Sequence, residues 1–235
     1  MAGGKKVAAT APRQSDLGIR VLSAVVMVAV AGIALWLGGW PFAVFVAVVA
    51  AGVFREWWDL VLRFAKRAIS RALWIAAGIG YLFVAAVALI ELREDSLAVA
   101  CQLLLMVVAV DVGAYFAGRT IGGPKIAPRI SPSKTWAGLA GGVVAASVAH
   151  AAMMPLTDPD FPTLDLGAIA GFSLLGGVLV AAIAQFGDFF ESRMKRKAGV
   201  KDSGSLIPGH GGLFDRVDGL VAVLFVVGLL TGLGQ

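Results

Sequence analysis

Residues 192–218 read SRMKRKAGVKDSGSLIPGHGGLFDRVD. This stretch carries nine charged side chains in 27 residues, although only 15% of the whole chain is charged. An apolar run, 166–187, precedes it, and another, 219–235, follows it. Because charges are costly near a membrane interior, their concentration between two such runs indicates a functional loop.

The rest of the chain has the composition of a membrane protein. It has 235 residues, 59% of them hydrophobic, and a mean hydropathy of +0.86. A spanning helix needs roughly 20 mostly apolar residues. Uncharged runs of suitable length occur at 21–54, 73–90, 96–110, 138–155, 166–187 and 219–235.

The first of these runs contains Gly38, Gly39 and Pro41, which predict a tight turn between two helices. We extend the second helix through Glu56 to Trp58, with the charges reaching back to the interface. The sequence therefore predicts an all-α, polytopic membrane helix bundle of about seven transmembrane helices. We divide it into a disordered cytoplasmic tail (1–18), N-terminal helices (19–110) and a catalytic region (111–235).

The distribution of basic residues predicts the orientation. All Lys and Arg residues except Arg93 fall in alternate loops. The positive-inside rule then places the N-terminus and the 192–218 loop in the cytoplasm. We expect the membrane to be a bacterial inner membrane. The same rule explains the net charge of +5, so we expect no nucleic-acid binding.

Cys101 is the single cysteine, which excludes an intramolecular disulfide and a multi-cysteine zinc site. The N-terminus does not resemble a cleavable signal.

Two segments before the loop also carry polar side chains at a predicted membrane edge. Asp111 follows a long uncharged run and lies one helical turn before Tyr115, so it is a functional candidate. Ser131 or Ser133 is predicted to cap the fifth helix. Amide groups at that helix start, together with the Lys134 ammonium, would suit a phosphate.

The loop itself combines carboxylates, cations and glycines. Asp188, Glu191 and Lys195 share a face at helical spacing, and Asp215 and Asp218 share another. Paired carboxylates suit Mg²⁺, which binds through a few carboxylates plus substrate phosphate oxygens. Glycines around His210 allow the backbone to approach an anion closely. The implied substrate is a polyphosphate at the membrane surface.

These residues resemble the signature of the CTP:phosphatidate cytidylyltransferase (CDP-diacylglycerol synthase) family. The resemblance is carried by Ser192-x-Met194-Lys195-Arg196, Lys201-Asp202-x-Gly204 and Ile207-Pro208-x-His210-Gly211-Gly212-Leu213-x-Asp215-Arg216-Val217-Asp218. Asp111-x-x-Ala114-Tyr115-Phe116-x-Gly118-Arg119 and Ser131-Pro132-x-Lys134-Thr135-Trp136-x-Gly138 agree with it. Ala137 departs from it, because the family usually has Glu there.

The resemblance implies transfer of a cytidylyl group from CTP to phosphatidic acid with Mg²⁺, giving CDP-diacylglycerol and pyrophosphate for phospholipid biosynthesis. The candidate catalytic residues are Lys201, Asp202, His210, Asp215 and Asp218. The candidate substrate-binding residues are Lys134, Ser131, Ser192, Lys195, Arg196, Gly211, Gly212, Arg216 and Tyr115. The candidate metal ligands are Asp215, Asp218, Asp188 and Asp111.

Two other functions and one assembly state stay open at this point. A CTP-dependent lipid kinase would also bring a nucleotide and a metal to a cytoplasmic loop. A transporter is a weaker alternative, because its usual mark is charge within the spans, and here charge clusters at their ends. The chain could also assemble as a homodimer.

Overall fold

The computed structural model describes residues 15–158, 160–207 and 211–232. Within these ranges it contains seven α-helices, one short 3-10 helix (Phe161–Thr163) and one two-stranded antiparallel ribbon. The helices are α1 (Ser15–Leu37), α2 (Gly39–Phe64), α3 (Ala68–Asp95), α4 (Leu97–Thr120), α5 (Trp136–Thr157), α6 (Leu166–Ala198) and α7 (Phe214–Thr231). The ribbon pairs β1 (Lys125–Ala127) with β2 (Ser131–Thr135). The predicted all-α helix bundle is confirmed, and the ribbon is an addition to it.

The helices have the lengths and composition of a polytopic membrane protein. In the described residues, α3, α4, α5 and α6 are each long and apolar enough to cross a membrane. The apolar part of α1, Val21–Leu37, is shorter. The number of seven spans therefore stays a prediction. Most of the predicted tail lies outside the described residues, and α1 begins within its last part, at Ser15.

One end of the bundle carries the α1–α2 turn and a contact of α3 with the end of α1. Gly38 and Gly39 separate α1 from α2 with φ of 65° and 52°, a backbone conformation that glycine adopts at low cost. The predicted turn is thus confirmed. Arg93, near the end of α3, donates to the carbonyl oxygens of Leu35 at 2.5 Å and Trp36 at 3.0 Å. The Arg93 guanidinium thus donates to the last carbonyl groups of α1, which have no partner within the helix. Basic side chains commonly take this role near helix C-termini.

The core near the other end of the bundle is built around Trp57 of α2. Its side chain is 1% exposed, and its indole N–H donates to the Trp74 carbonyl at 2.9 Å. The rings of Trp74, Tyr81, Phe190 and Phe214 lie 5.7–6.1 Å from the Trp57 ring. One aromatic side chain therefore joins α2, α3, α6 and α7.

Helix α6 continues well beyond its apolar run. It extends to Ala198 and ends at Gly199, whose φ of 72° lets its N–H bond back to the helix. The continuation carries Asp188, Glu191 and Lys195 on one face, as predicted, with Glu191 and Lys195 in contact. Charged side chains thus stand on a rigid element.

The α6–α7 crossing depends on Gly187, the residue before Asp188. A methyl group added there would lie 2.6 Å from Ala222 Cβ and 2.6 Å from the Asp218 carbonyl oxygen. The absence of a side chain lets the two helix backbones approach, as small residues do between membrane helices. Asp188 and Asp218 are brought together by this contact.

We expect Gly187→Ala to destabilise the protein by about 1–3 kcal/mol, because the added methyl group overpacks the α6–α7 contact. The measurement is the thermal unfolding temperature of the purified protein in detergent. Gly171→Ala is the matched control, since its added methyl group on the same helix meets no heavy atom of the described residues within 4 Å. Equal unfolding temperatures for the two variants would show that the contact is not tight.

Candidate active site

A cavity of about 580 Å³ opens where α4, β2, α6 and α7 meet. Protein pockets for small molecules typically have volumes of about 300–1,000 Å³. Twelve residues predicted as site residues line it: Asp111, Ser131, Lys134, Asp188, Ser192, Lys195, Arg196, Lys201, Asp202, Asp215, Arg216 and Asp218. The structure therefore brings together groups that are up to about a hundred residues apart in sequence.

Three carboxylates form a cluster beside the cavity, and two of them, Asp188 and Asp218, line it. Asp188, Glu191 and Asp218 each offer one oxygen atom, and these atoms lie within 4.8 Å of one another. Glu191 is completely buried, and its Oε1 has no hydrogen-bond partner among the described residues. A buried oxygen without a donor is costly, and a cation would satisfy it.

Asp188 is also paired with a cation of the protein. Lys134 Nζ lies 2.6 Å from Asp188 Oδ2, and the hydroxyl of Ser192 donates to Asp188 Oδ1 at 3.4 Å. The ammonium comes from β2 and the carboxylate from α6, so this ion pair closes one wall of the cavity. It also keeps a positive charge beside the carboxylate cluster.

Lys195 connects two of the acidic groups. Its ammonium lies 2.5 Å from Glu191 Oε2 and 2.5 Å from Asp215 Oδ1. The lysine side chain is 14% exposed, so most of it is removed from solvent. Its charge offsets the two neighbouring carboxylates.

Asp215 uses its other oxygen to hold the loop before α7. Asp215 Oδ2 accepts hydrogen bonds from the Ser203 N–H at 2.8 Å, the Ser203 hydroxyl at 2.9 Å and the Gly212 N–H at 3.2 Å. Both oxygens of Asp215 therefore contact protein donors, and Asp215 lies outside the three-carboxylate cluster. Its assignment as a metal ligand stays a prediction.

The glycine-rich part of the loop is only partly described. Gly211 has a φ of 85° and forms an isolated bridge with Ile207. Gly212 directs its N–H to Asp215, not to open solvent. His210 lies outside the described residues. The catalytic and substrate-binding roles of these residues stay predictions.

A second cavity of about 430 Å³ adjoins the first. Asp111 and Lys134 line both cavities. Tyr115, another predicted substrate-binding residue, lines only the second one, and its hydroxyl accepts a hydrogen bond from Arg119 at 3.0 Å. Lys134 thus stands between the two cavities.

The cap of α5 differs from the prediction. Residues 131–135 form β2, so Ser131 and Ser133 precede the helix by several positions. Thr135 is the N-cap, and its hydroxyl accepts a hydrogen bond from the Gly138 N–H at 3.0 Å. A helix does begin after this segment, as predicted. However, the sequence did not reveal the ribbon, and because residues 131–135 are extended, the N-cap is Thr135 and not Ser131 or Ser133.

Glu56 is the largest departure from the sequence analysis. The prediction placed its charge toward the interface, yet the side chain is 2% exposed. Its carboxylate accepts hydrogen bonds from the backbone N–H groups of Leu213 and Phe214. The prediction that the Glu56 charge reaches out of the bundle is therefore wrong, because donors 157 and 158 residues away in the chain satisfy the carboxylate. The sequence feature that could have indicated a buried Glu56 is its position next to Trp57 within a largely apolar helix.

We expect Lys195→Met to destabilise the protein by about 3–5 kcal/mol, because it leaves buried Glu191 without its cation. Thermal unfolding of the purified protein in detergent measures this. The exposed Arg193 lies on the same helix, and Arg193→Met removes the same charge as a control. Adding Glu191→Gln to Lys195→Met should recover part of the loss. An unfolding temperature for Lys195→Met equal to that of the control would contradict this account.

Comparison with known proteins identifies a family whose model covers the part of the chain that forms these cavities. A family model described as "Cytidylyltransferase family" matches residues 63–233, which include every residue that lines the two cavities.

Curated relatives extend the match over the length of the chain. The chain is 32% identical to the phosphatidate cytidylyltransferase of Brucella suis biovar 1, with 88% of this chain and 90% of the relative covered. It is 31% identical to that of Rickettsia bellii, with 98% and 97% covered. A shorter alignment with that of Haemophilus influenzae is 43% identical and covers 51% of this chain and 41% of the relative. On the family model and these alignments, the chain belongs to the cytidylyltransferase family.

Proposed function

We propose that this protein transfers the cytidylyl group of CTP to phosphatidic acid and releases pyrophosphate. The observation that carries the proposal is the cavity in which Lys134, Asp188, Lys195 and Asp218 meet at one end of an apolar bundle. Relatives that match most of the chain are named for this activity. A nucleotide and a lipid headgroup can meet only at the membrane surface, and a polar cavity at the end of a bundle suits that meeting.

Mg²⁺ is the proposed cofactor. The donor set fits it, because Asp188, Glu191 and Asp218 offer hard oxygen atoms close together and one Glu191 oxygen lacks a donor. When bound, Mg²⁺ supplies a positive charge that neutralises phosphate oxygens. Asp111 lines the same cavity and stays a candidate ligand. Asp215, whose Oδ2 accepts three hydrogen bonds from the loop, fits the role of holding the loop better.

The cations of the cavity are the proposed phosphate-binding groups. Lys134, Arg196, Lys201 and Arg216 line it together with the hydroxyl-bearing Ser131 and Ser192. Fixed cations and donors stabilise the charge that spreads over phosphate oxygens during transfer. Lys134 is the central one, because it lines both cavities and can contact two substrates.

The proposed reaction needs no strong base in the protein. An oxygen of the phosphatidate phosphate, already anionic near neutral pH, attacks the α-phosphorus of CTP. The bond from that phosphorus to the oxygen bridging the α- and β-phosphates breaks, and the electron pair leaves with pyrophosphate. The task of the side chains is to orient two anions in line and to offset their repulsion.

The apolar helices support a membrane location, and the bacterial relatives support the inner membrane as its site. We propose that the active-site end faces the cytoplasm, where CTP is present. Arg93, the lone basic residue predicted on the opposite side, contacts α1 at the other end of the bundle from the α6–α7 loop. A homodimer stays a proposal.

We expect CTP labelled at its α-phosphate to transfer the label to lipid when the purified protein is given Mg²⁺ and phosphatidate vesicles. The reason is that cytidylyl transfer keeps the α-phosphate with the cytidine that joins the lipid. A lipid kinase would instead leave the label in released CDP, and a transporter would leave CTP intact. Thin-layer separation of the lipid and the nucleotide distinguishes the three outcomes.

We expect Asp188→Asn and Asp218→Asn each to raise the Mg²⁺ concentration for half-maximal rate by about tenfold or more, because each removes a charged ligand. Asp215→Asn should lower the rate and the unfolding temperature with a smaller change in Mg²⁺ dependence. Initial rates over a Mg²⁺ titration measure the difference. If Asp215→Asn shifted the titration most, Asp215 would have to replace Asp188 or Asp218 in the ligand set.

A further inference from the structure

A carboxylate of α2 lies against the active-site loop without lining the cavity. Glu56 Oε1 accepts the Leu213 N–H at 3.0 Å, and Oε2 accepts the Phe214 N–H at 2.8 Å. The Ser203 hydroxyl lies 2.8 Å from Glu56 Oε2. One side chain thus contacts both ends of the loop that joins α6 to α7.

These contacts supply hydrogen-bond acceptors for N–H groups at the start of α7. The helix begins after Leu213, the N-cap residue, whose side chain makes no capping hydrogen bond in the described part of the chain. The first N–H groups of a helix have no partner within the helix and carry the positive end of its dipole. Glu56 supplies an anion to two of them from another helix. A negative group at a helix N-terminus is stabilising, and here it also fixes where the helix starts.

Ser203 extends the connection into the catalytic cavity. Its hydroxyl lies between the carboxylates of Glu56 and Asp215, at 2.8 Å and 2.9 Å. Its backbone N–H donates to Asp215 as well. Asp215 in turn contacts Lys195, which contacts Glu191 of the carboxylate cluster. The position of Glu56 is therefore coupled through direct contacts to the acidic groups of the site.

The surrounding residues leave room for this approach. A methyl group added to Gly204 would collide with the Glu56 carboxylate. A methyl group added to Gly52, one turn earlier on α2, would lie 2.8 Å from a methyl group of Leu213. The face of α2 that carries Gly52 and Glu56 is thus shaped to receive the loop.

We propose that Glu56 is a positioning residue for the transfer reaction. It fixes the first turn of α7, and with it Asp215 and Asp218, relative to α6. This inference rests on the proposed function, and it concerns a residue outside the 63–233 region that the family model matches. Glu56 itself contacts no substrate in this assignment, since it acts through the backbone of Leu213 and Phe214 and through Ser203.

A side chain with two acceptor oxygens is needed here, because the backbone N–H groups of Leu213 and Phe214 each donate to a different oxygen of Glu56. Glu56→Gln keeps the size of the side chain but turns one acceptor into an NH₂ donor that faces N–H or O–H groups. Glu56→Asp keeps the charge and shortens the side chain by one methylene group. Glu56→Gln therefore tests the need for a carboxylate, and Glu56→Asp tests the need for the full length of the side chain.

We expect Glu56→Gln to lower kcat by about tenfold or more, since small misplacements of reacting groups have large effects on rate. It should also raise the Mg²⁺ concentration for half-maximal rate, because Asp218 stands on the displaced turn. Glu56→Asp should fall between Glu56→Gln and the unchanged protein in both quantities. The assay is lipid labelling from α-labelled CTP with purified protein of known folded fraction.

Asp59→Asn is the matched control, since Asp59 is exposed on the same helix and should retain normal kcat and Mg²⁺ dependence. Normal kcat and Mg²⁺ dependence in Glu56→Gln would overturn the positioning role, even with a lower unfolding temperature. Failure of both Glu56 variants to fold, with Asp59→Asn normal, would also overturn it and assign Glu56 to stability alone. Inactivity of the unchanged protein would instead count against the proposed function.

Discussion

A carboxylate buried at the end of an apolar bundle has to find its partners inside the protein, and the active-site end is organised by this constraint. Burying a charge without a partner is far more costly than any single apolar contact is favourable. Glu191, fully buried, meets the constraint through Lys195, which also contacts Asp215. Lys195 and its two carboxylates thereby join α6 to the start of α7.

The helix contacts of the bundle support the same arrangement. Trp57 joins four helices beside Glu56, so the α2 side of the loop is rigid. Gly187 lets α6 and α7 approach closely enough for Asp188 and Asp218 to share a cluster. The carboxylate cluster therefore depends on the helix packing, because Asp188 and Asp218 come together only where the backbones of α6 and α7 are close.

Much of this fold follows from patterns that are local in the chain. Apolar runs predict helices, Gly38 and Gly39 predict the α1–α2 turn, and the spacing of Asp188, Glu191 and Lys195 predicts a shared helical face. The resemblance then groups segments 111–119, 131–138 and 192–218, and the cavity contains most of the residues named from it. What the sequence could not supply is pairing between distant segments. The β1–β2 ribbon, the Thr135 cap and the contact of Glu56 with Leu213 all depend on neighbours that no local pattern identifies.

The acidic residues of this end divide into two kinds by where their donors come from. Glu56 and Asp215 accept hydrogen bonds from the backbone of the loop, and these bonds hold the loop to α2 and α7. Asp188 and Asp218 have mainly side-chain or single backbone partners and line the cavity. The backbone contacts of the first kind hold the loop in place, whereas the second kind belongs to the carboxylate cluster that we propose binds Mg²⁺. Asp215 belongs to the same signature as Asp218 and lies three residues from it, yet the two carboxylates have different partners: Asp215 contacts the loop and Lys195, and Asp218 accepts from the Gly219 N–H.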